Sequence, residues 1–227
     1  MRRWNFAIND GQIRNRWSAT WFFIIFTIAW YLIVQTYFGH GIVGMVKSGA
    51  LVGELVNQGE WYRLCSALFV HVTTLHLLVN MFSLWSLMIV EKLLGSAVWL
   101  VLYLLSGIVG NLFSYLLLPG NDASAGASGA IFGLFGAMLA LALLRILPGV
   151  VRNQLLLILA VNVVLDVSNH DIDWLAHLGG MLTGILLTIG YVKALRKPLL
   201  WRASAFVLCT LTAVCLLFTL FMPIPGI

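Results

Sequence analysis

Seven runs of about 20 apolar residues dominate the chain, near 18–38, 68–90, 97–118, 126–144, 152–169, 173–191 and 201–222. A helix of that length covers the ~30 Å hydrocarbon core of a bilayer. Lipid offers the backbone no hydrogen-bond partners, so a chain crosses it as helices or as a closed barrel. None of the runs alternates apolar with polar residues, which removes the barrel. Composition agrees: 61% of the 227 residues are hydrophobic and 9% are charged, against about 25% charged in soluble domains. The expected fold class is all-α, a polytopic membrane helical bundle of seven transmembrane helices. Turn residues mark the joints at Gly39 and Gly41, Pro119 with Gly120, Pro148 with Gly149, and Pro198. There is no fixed-period repeat, no low-complexity segment and no room for a sizeable soluble domain.

Basic residues give the expected direction. With a cytoplasmic N-terminus, the inner side carries Arg2, Arg3, Arg14, Arg16, Lys92, Arg145, Arg152, Lys193, Arg196, Lys197 and Arg202, and the outer side only Lys47 and Arg63. Eleven against two is the asymmetry of the positive-inside rule, and seven spans put the C-terminus outside. The net charge of +5 then reads as a topology signal that meets anionic headgroups, not as a nucleic-acid surface. Arg2 and Arg3 precede a polar stretch and an apolar run too long for a signal-peptide core, without a small-residue cleavage site; the first span is expected to be uncleaved. Trp17, Trp21, Trp174 and Trp201, near span ends, are expected as interfacial anchors. Cys65, Cys209 and Cys215 have no metal-ligand or redox spacing and read as packing residues. Between spans 1 and 2, the stretch IVGMVKSGALVGELV is apolar and nearly uncharged, which suggests a segment lying in the membrane interface.

Polar groups within spans are costly and point to function. Span 2 begins HVTTLHLLVNM, with His71, and with His76 and Asn80 one turn apart on one helix face. Span 4 begins at Ser128, and span 6 begins DWLAHLGGMLTG, with His177 one turn in. In the assigned topology all three spans start from the outer side, so His76, Asn80, Ser128 and His177 share a depth. Gly129, Gly133 and Ala137 repeat every four residues on span 4, as Gly180 and Gly184 do on span 6. Such small-residue stripes let two backbones approach closely, which would bring Ser128 within reach of His177. A serine in a Gly/Ala-rich helix is ordinarily a packing residue; four polar groups at one depth favour chemistry instead. A histidine activates a serine by taking its proton, and donors such as Asn80, His76 and the Ser128 amide can hold a developing oxyanion. Asp166, Asp171 and Asp173 have no obvious place behind His177, so the expectation is a Ser–His dyad and not a triad.

These residues resemble the rhomboid family of intramembrane serine proteases. The resemblance rests on GASG at 126–129, AHLGGMLTG at 176–184, HVTTLHLLVN at 71–80, GEWYRL at 59–64, and Glu91 and Lys92 with Gly95. It implies that Ser128 is the nucleophile, His177 the general base, and His76 and Asn80 oxyanion donors. Gly126 would leave room for substrate, His71 would have a supporting role, and Arg63 would match the arginine of the loop 1 motif. Tyr62 occupies the place of the usual tryptophan before that arginine, and Phe132 stands where many members carry a tyrosine stacked on the histidine. The implied organisation is a short basic cytoplasmic N-terminus (1–17), a six-helix protease core (18–191) with membrane-associated loop 1 at 39–67, a basic cytoplasmic loop (192–200), an additional C-terminal helix (201–222) and an outer tail (223–227). The resemblance further implies a multi-pass protein of the plasma (inner) membrane, with its active site on the extracytoplasmic side. Its partners would be transmembrane protein substrates and the bilayer, with no metal, nucleic acid or other cofactor. Substrates would arrive laterally between spans 2 and 5, under a cap around Ser168–Asp171.

Three other readings are weaker. A zinc enzyme could use His71, His76 and His177, but there is no HExxH and no carboxylate at ligand spacing. A transporter would need a polar path continuing inward. A non-proteolytic relative that binds membrane clients would not need both members of the dyad.

Overall fold

The structure, a computed structural model, describes residues 18–117, 123–168, 172–193 and 197–221. The N-terminal stretch 1–17, the loop residues 169–171, the 223–227 tail and the Asp166 side chain lie outside the described part. Expectations for the N-terminal arginines, for a cap over Ser168–Asp171 and for Asp166 therefore have no structural counterpart here.

The first helix, α1 (Ala19–Phe38), is completed by a residue far along the chain. Ser18 is extended and its hydroxyl does not cap the helix; it donates to Glu91. The Glu91 carboxylate accepts from the Ala19 amide (2.7 Å), the Thr20 amide (3.0 Å) and the Thr20 hydroxyl (2.7 Å), and from Ser96 (2.7 Å). A carboxylate that takes up the first helical amides also suits the positive end of the helix dipole.

Loop 1 holds three short helices, α2 (Gly41–Lys47), α3 (Gly53–Asn57) and α4 (Arg63–Ser66), followed by a 3-10 turn at Ala67–Phe69. Arg63 is fully buried and organises the loop. Its Nε donates to Glu60 Oε2 (2.6 Å), and its Nη1 to the carbonyls of Val46 and Ala50 (2.8 Å each). Charge-assisted bonds to a carboxylate and two carbonyls offset the desolvation of the guanidinium.

The apolar run at 68–90 does not become one helix. Leu68, Phe69 and Val70 are buried in non-α backbone, and the helix α5 (Thr74–Ser86) starts six residues later. Thr73 sets that boundary: it is extended, and its hydroxyl accepts from the His76 amide (3.1 Å), an N-cap. After a break at Leu87, α6 (Met88–Leu94) continues the apolar helix to Leu94. Hydropathy reported that these residues are buried, not that they are helical.

The remaining helices are α7 (Ser96–Leu117), α8 (Ser128–Leu143), α9 (Gly149–Ser168), α10 (Trp174–Lys193) and α11 (Pro198–Phe221). Among the described residues the only strand-like pairing is one antiparallel bridge, Leu51 with Ser124. Among the described residues five helical stretches are long and apolar enough to cross a membrane: α1, α5 with α6, α7, α10 and α11. Two apolar segments are shorter, α8 and Gly149–Val164 of α9. The protein is a multi-pass membrane protein with an all-helical bundle fold. At its centre α8 packs against both α7 and α10, and it is buried almost all round from Gly129 to Ala142. By contrast, α9 rests on α8. Trp201, in the first turn of α11, is buried against protein, edge-on to Tyr191 (5.3 Å, 86°).

The seventh apolar helix, α11, lies against α7 and against α4 of loop 1. Tyr62 stacks on Phe218 (6.1 Å, 17°), and the Cys65 thiol donates to Thr212 (3.4 Å). The Tyr62 hydroxyl donates to Glu60 (2.8 Å), and burial pushes its pKa up to about 12, so it remains a donor. The tyrosine that departs from the family pattern thus has an aromatic partner on α11.

Candidate active site

The site forms where the segment before α8 meets the starts of α5 and α10. Residues 123–127 approach α8 without regular structure and are pinned at three points. Leu51 and Ser124 exchange backbone bonds (2.8 and 2.9 Å), the Gly126 amide donates to the Ala67 carbonyl (2.9 Å), and the Ser124 hydroxyl donates to Asp173 Oδ2 (2.7 Å). Gly126 has φ +136°, a conformation that residues with a Cβ rarely adopt. A Cβ there would sit 2.8 Å from His76 Cε1, 3.0 Å from its Nε2 and 3.7 Å from Asn80 Nδ2. The segment leading into α8 therefore runs along the edges of His76 and Asn80, close enough that only hydrogen fits.

Ser128 is the first residue of α8 and half-buried. The bond from the Ile131 amide to the Ala127 carbonyl (3.0 Å) opens the helical ladder. The amides of the first turn, Ser128 among them, have no intrahelical acceptor and sit at the positive end of the helix dipole. An anion arising beside Ser128 would meet donors already oriented.

The two small-residue stripes of α8 and α10 face each other. A Cβ on Gly180 would fall 2.0 Å from the Gly129 carbonyl oxygen, and one on Gly184 would fall 1.9 Å from that of Gly133. Both are far inside contact distance, so the seam is backbone against backbone. At its upper end a Cβ on Gly129 would lie 3.2 Å from the Ala176 carbonyl oxygen. The residue after Ser128 thus abuts the residue before His177, and the Ser128 and His177 side chains leave adjoining points of the two helices. His177 is buried, and its imidazole lies flat against Phe132, ring centroids 4.2 Å apart and 14° from parallel. That stack fixes the ring plane without a hydroxyl.

On α5, the Asn80 Nδ2 donates to the His76 carbonyl (3.1 Å), which uses one of its two N–H bonds. His71 lies just before the helix, buried, with Nδ1 3.3 Å from the Phe69 carbonyl and its ring 5.2 Å from that of His76, edge-on. Its Nε2 is buried without a protein partner. Arg63 hydrogen-bonds within loop 1, to Glu60, Val46 and Ala50. Among the described residues no group of three or more His, Cys, Asp or Glu side chains is placed to hold a metal ion.

Sequence reasoning missed Asp173, having asked only whether an acid stood behind the imidazole. Its Oδ1 accepts from the Ala176 amide (3.0 Å), the N-cap bond of α10, and its Oδ2 from Ser114 (2.5 Å) and Ser124 (2.7 Å). An aspartate directly before the apolar run that starts at Trp174 is the available signal; its two serine partners leave none.

The chain matches the family described as Rhomboid domain over residues 58–194. It is 33% identical over 204 residues to the rhomboid protease GluP of Bacillus subtilis, an alignment covering 88% of this chain and 38% of GluP. It is 39% identical over 163 residues to RHOMBOID-like protein 5 of Arabidopsis thaliana (70% of this chain, 52% of that protein). To Rhomboid-like protease 3 of Toxoplasma gondii it is 33% identical over 168 residues (71% and 64%). The chain spans less than two thirds of the length of each of these three relatives.

Proposed function

The chain belongs to the rhomboid family, and from that premise and the site's geometry we propose that it is an intramembrane serine endopeptidase working through a Ser128–His177 dyad. The observation that carries the reading is the glycine seam, which sets Ser128 and His177 on adjoining turns, with Phe132 holding the imidazole plane. In the first step the Ser128 Oγ attacks the scissile carbonyl carbon while His177 takes the hydroxyl proton. The carbonyl oxygen, now an anion, is met by the Ser128 amide, the second N–H of Asn80 and the His76 ring. Removing one such donor costs on the order of 10²–10³ in kcat in serine hydrolases. His177 then passes the proton to the leaving amine, and the acyl-enzyme is hydrolysed by a water that His177 deprotonates. Every step is acid–base and nucleophilic chemistry of the chain's own side chains and water.

The depth of the site follows from the length of α8. Its 16 residues extend about 24 Å, short of the ~30 Å hydrocarbon layer, so Ser128 begins below the surface that the longer helices reach. Water must enter from one side. We assign that side as extracytoplasmic, with the N-terminus cytoplasmic and the C-terminus outside, from the eleven-to-two distribution of basic residues. The bilayer is then a plasma membrane, and the seven apolar segments are seven crossings. Substrates are transmembrane proteins cut in or near their spans. α5 presents Leu78, Val79 and Phe82, and α9 presents Leu157, Ile158 and Val161, as exposed apolar faces of two helices that both contact α8; lateral access between them suits a substrate helix.

The test is labelling of purified protein by a serine-reactive fluorophosphonate, run beside cleavage of a transmembrane substrate. Wild type is expected to label and to cleave, and Ser128→Ala to do neither while remaining folded. Cleavage retained by pure Ser128→Ala protein would overturn the assignment.

A further inference from the structure

Among the described residues, Asp173 is the one carboxylate that touches both halves of the site's framework. Its Oδ2 receives the hydroxyl of Ser114, near the end of α7, and that of Ser124, four residues before Ser128. Its Oδ1 receives the amide of Ala176, the residue before His177, and its carbonyl accepts from the His177 amide (3.3 Å). The Ser124 backbone is meanwhile paired with Leu51 of loop 1. One side chain therefore ties together the segment that delivers the nucleophile, the first turn that carries the histidine, and the end of α7. Hydroxyl bonds to a carboxylate are short and roughly twice as strong as neutral ones. Three residues of irregular backbone separate the pin at Ser124 from Ser128, and Gly126 among them has no side chain to stiffen it.

We propose that Asp173 is a positioning residue for the reaction: it does not touch the substrate or the imidazole's proton, but sets the spacing between the Ser128 segment and the His177 helix. Its bonds to Ser124 and to the Ala176 amide act as one strut across the top of the α8–α10 seam. The glycine contacts fix how closely the two helices approach; the strut fixes where the chain enters α8. The proposal rests on the dyad reading above.

The test uses Ser124→Ala, Asp173→Asn and the double variant in membrane-reconstituted full chain, with two readouts. In amide hydrogen–deuterium exchange, residues 123–127 are expected to exchange about ten-fold faster in each single variant, while 134–142 in the middle of α8 stay unchanged. In cleavage of a transmembrane substrate, kcat is expected to fall ten-fold or more with KM unchanged, roughly the cost of a sub-ångström to 1 Å misplacement. The double variant should be no worse than Asp173→Asn alone, because both single changes break the same bond. Unchanged exchange at 123–127 overturns the proposal whatever the protein cleaves. So does a kcat within about two-fold of wild type, or an effect that multiplies in the double variant. Ser124→Ala removes one hydroxyl and keeps the backbone pairing with Leu51, so it tests the strut even if Asp173→Asn fails to fold. A wild type that cleaves nothing overturns the protease reading alone, and the exchange readout still decides whether the strut exists.

Discussion

The α8–α10 seam and the docking of loop 1 on α11 hold the site's framework by opposite means. In the seam two backbones touch and no side chain stands between them. At loop 1 side chains make the contacts: a guanidinium buried within the loop and, towards α11, a tyrosine stacked on a phenylalanine and a thiol on a threonine. A backbone contact cannot be adjusted, because no rotamer relieves an added atom. A side-chain contact can be remade with a ring of another size, which is how Tyr62 stands where the family pattern has tryptophan. The candidate site is therefore rigid where Ser128 and His177 meet and adaptable where loop 1 is anchored.

The comparison can be broken most severely at the seam. Gly180→Val drives new atoms into the Gly129 carbonyl, and it is expected to cost about 3 kcal/mol or more and to abolish cleavage; thermal unfolding in detergent and a substrate assay read both. A Gly180→Val protein with wild-type stability and rate would show that the seam is looser than its contacts indicate. On the loop side the largest single effect belongs to Arg63→Ala, which strips Glu60, Val46 and Ala50 of a common donor. A loss of roughly 3 kcal/mol is expected, as for removal of one partner of a buried pair, with cleavage falling because loop 1 loosens.

Smaller changes sharpen the contrast. Gly126→Ala puts a Cβ against His76 in a conformation that alanine rarely adopts; it should cost about 1–2 kcal/mol and lower kcat more than it lowers stability. Phe218→Ala removes the ring under Tyr62. Beyond the lost apolar area, that stack is worth about 0.5–1.5 kcal/mol, and activity should survive. Smallest of all is Phe132→Tyr, which keeps the 4.2 Å stack on His177. A rate within about two-fold of wild type is expected, and a larger change in kcat would mean that a hydroxyl at this position does more than stack.

The seam was legible in the sequence because its signal is local: Gly129 and Gly133 are one turn apart, as are Gly180 and Gly184, and periodicity reports that directly. The residues Ser128, His177, His76 and Asn80 were legible for a similar reason, as polar positions in apolar runs. What was not legible depends on partners distant in the chain. Nothing near Tyr62 announces Phe218, and nothing near Asp173 announces Ser114 or Ser124, separated from it by 59 and 49 positions. The start of α5 was misplaced because apolar character measures burial, and residues 68–70 are buried without being α-helical. Only the Thr73 cap separates the two, and a threonine followed by another threonine is weak punctuation.

The carboxylate that completes α1 has a consequence for how the protein is made. Glu91 lies 73 positions after Ser18, so at a synthesis rate of ~5–20 residues per second it emerges about 4–15 s after the start of the helix it caps. During that interval the leading amides of α1 must be met by water or lipid headgroups, and the join between α1 and α6 can set only once α5 and the first turn of α6 have been laid down. Of the two helices at this joint, the one synthesised first is finished last.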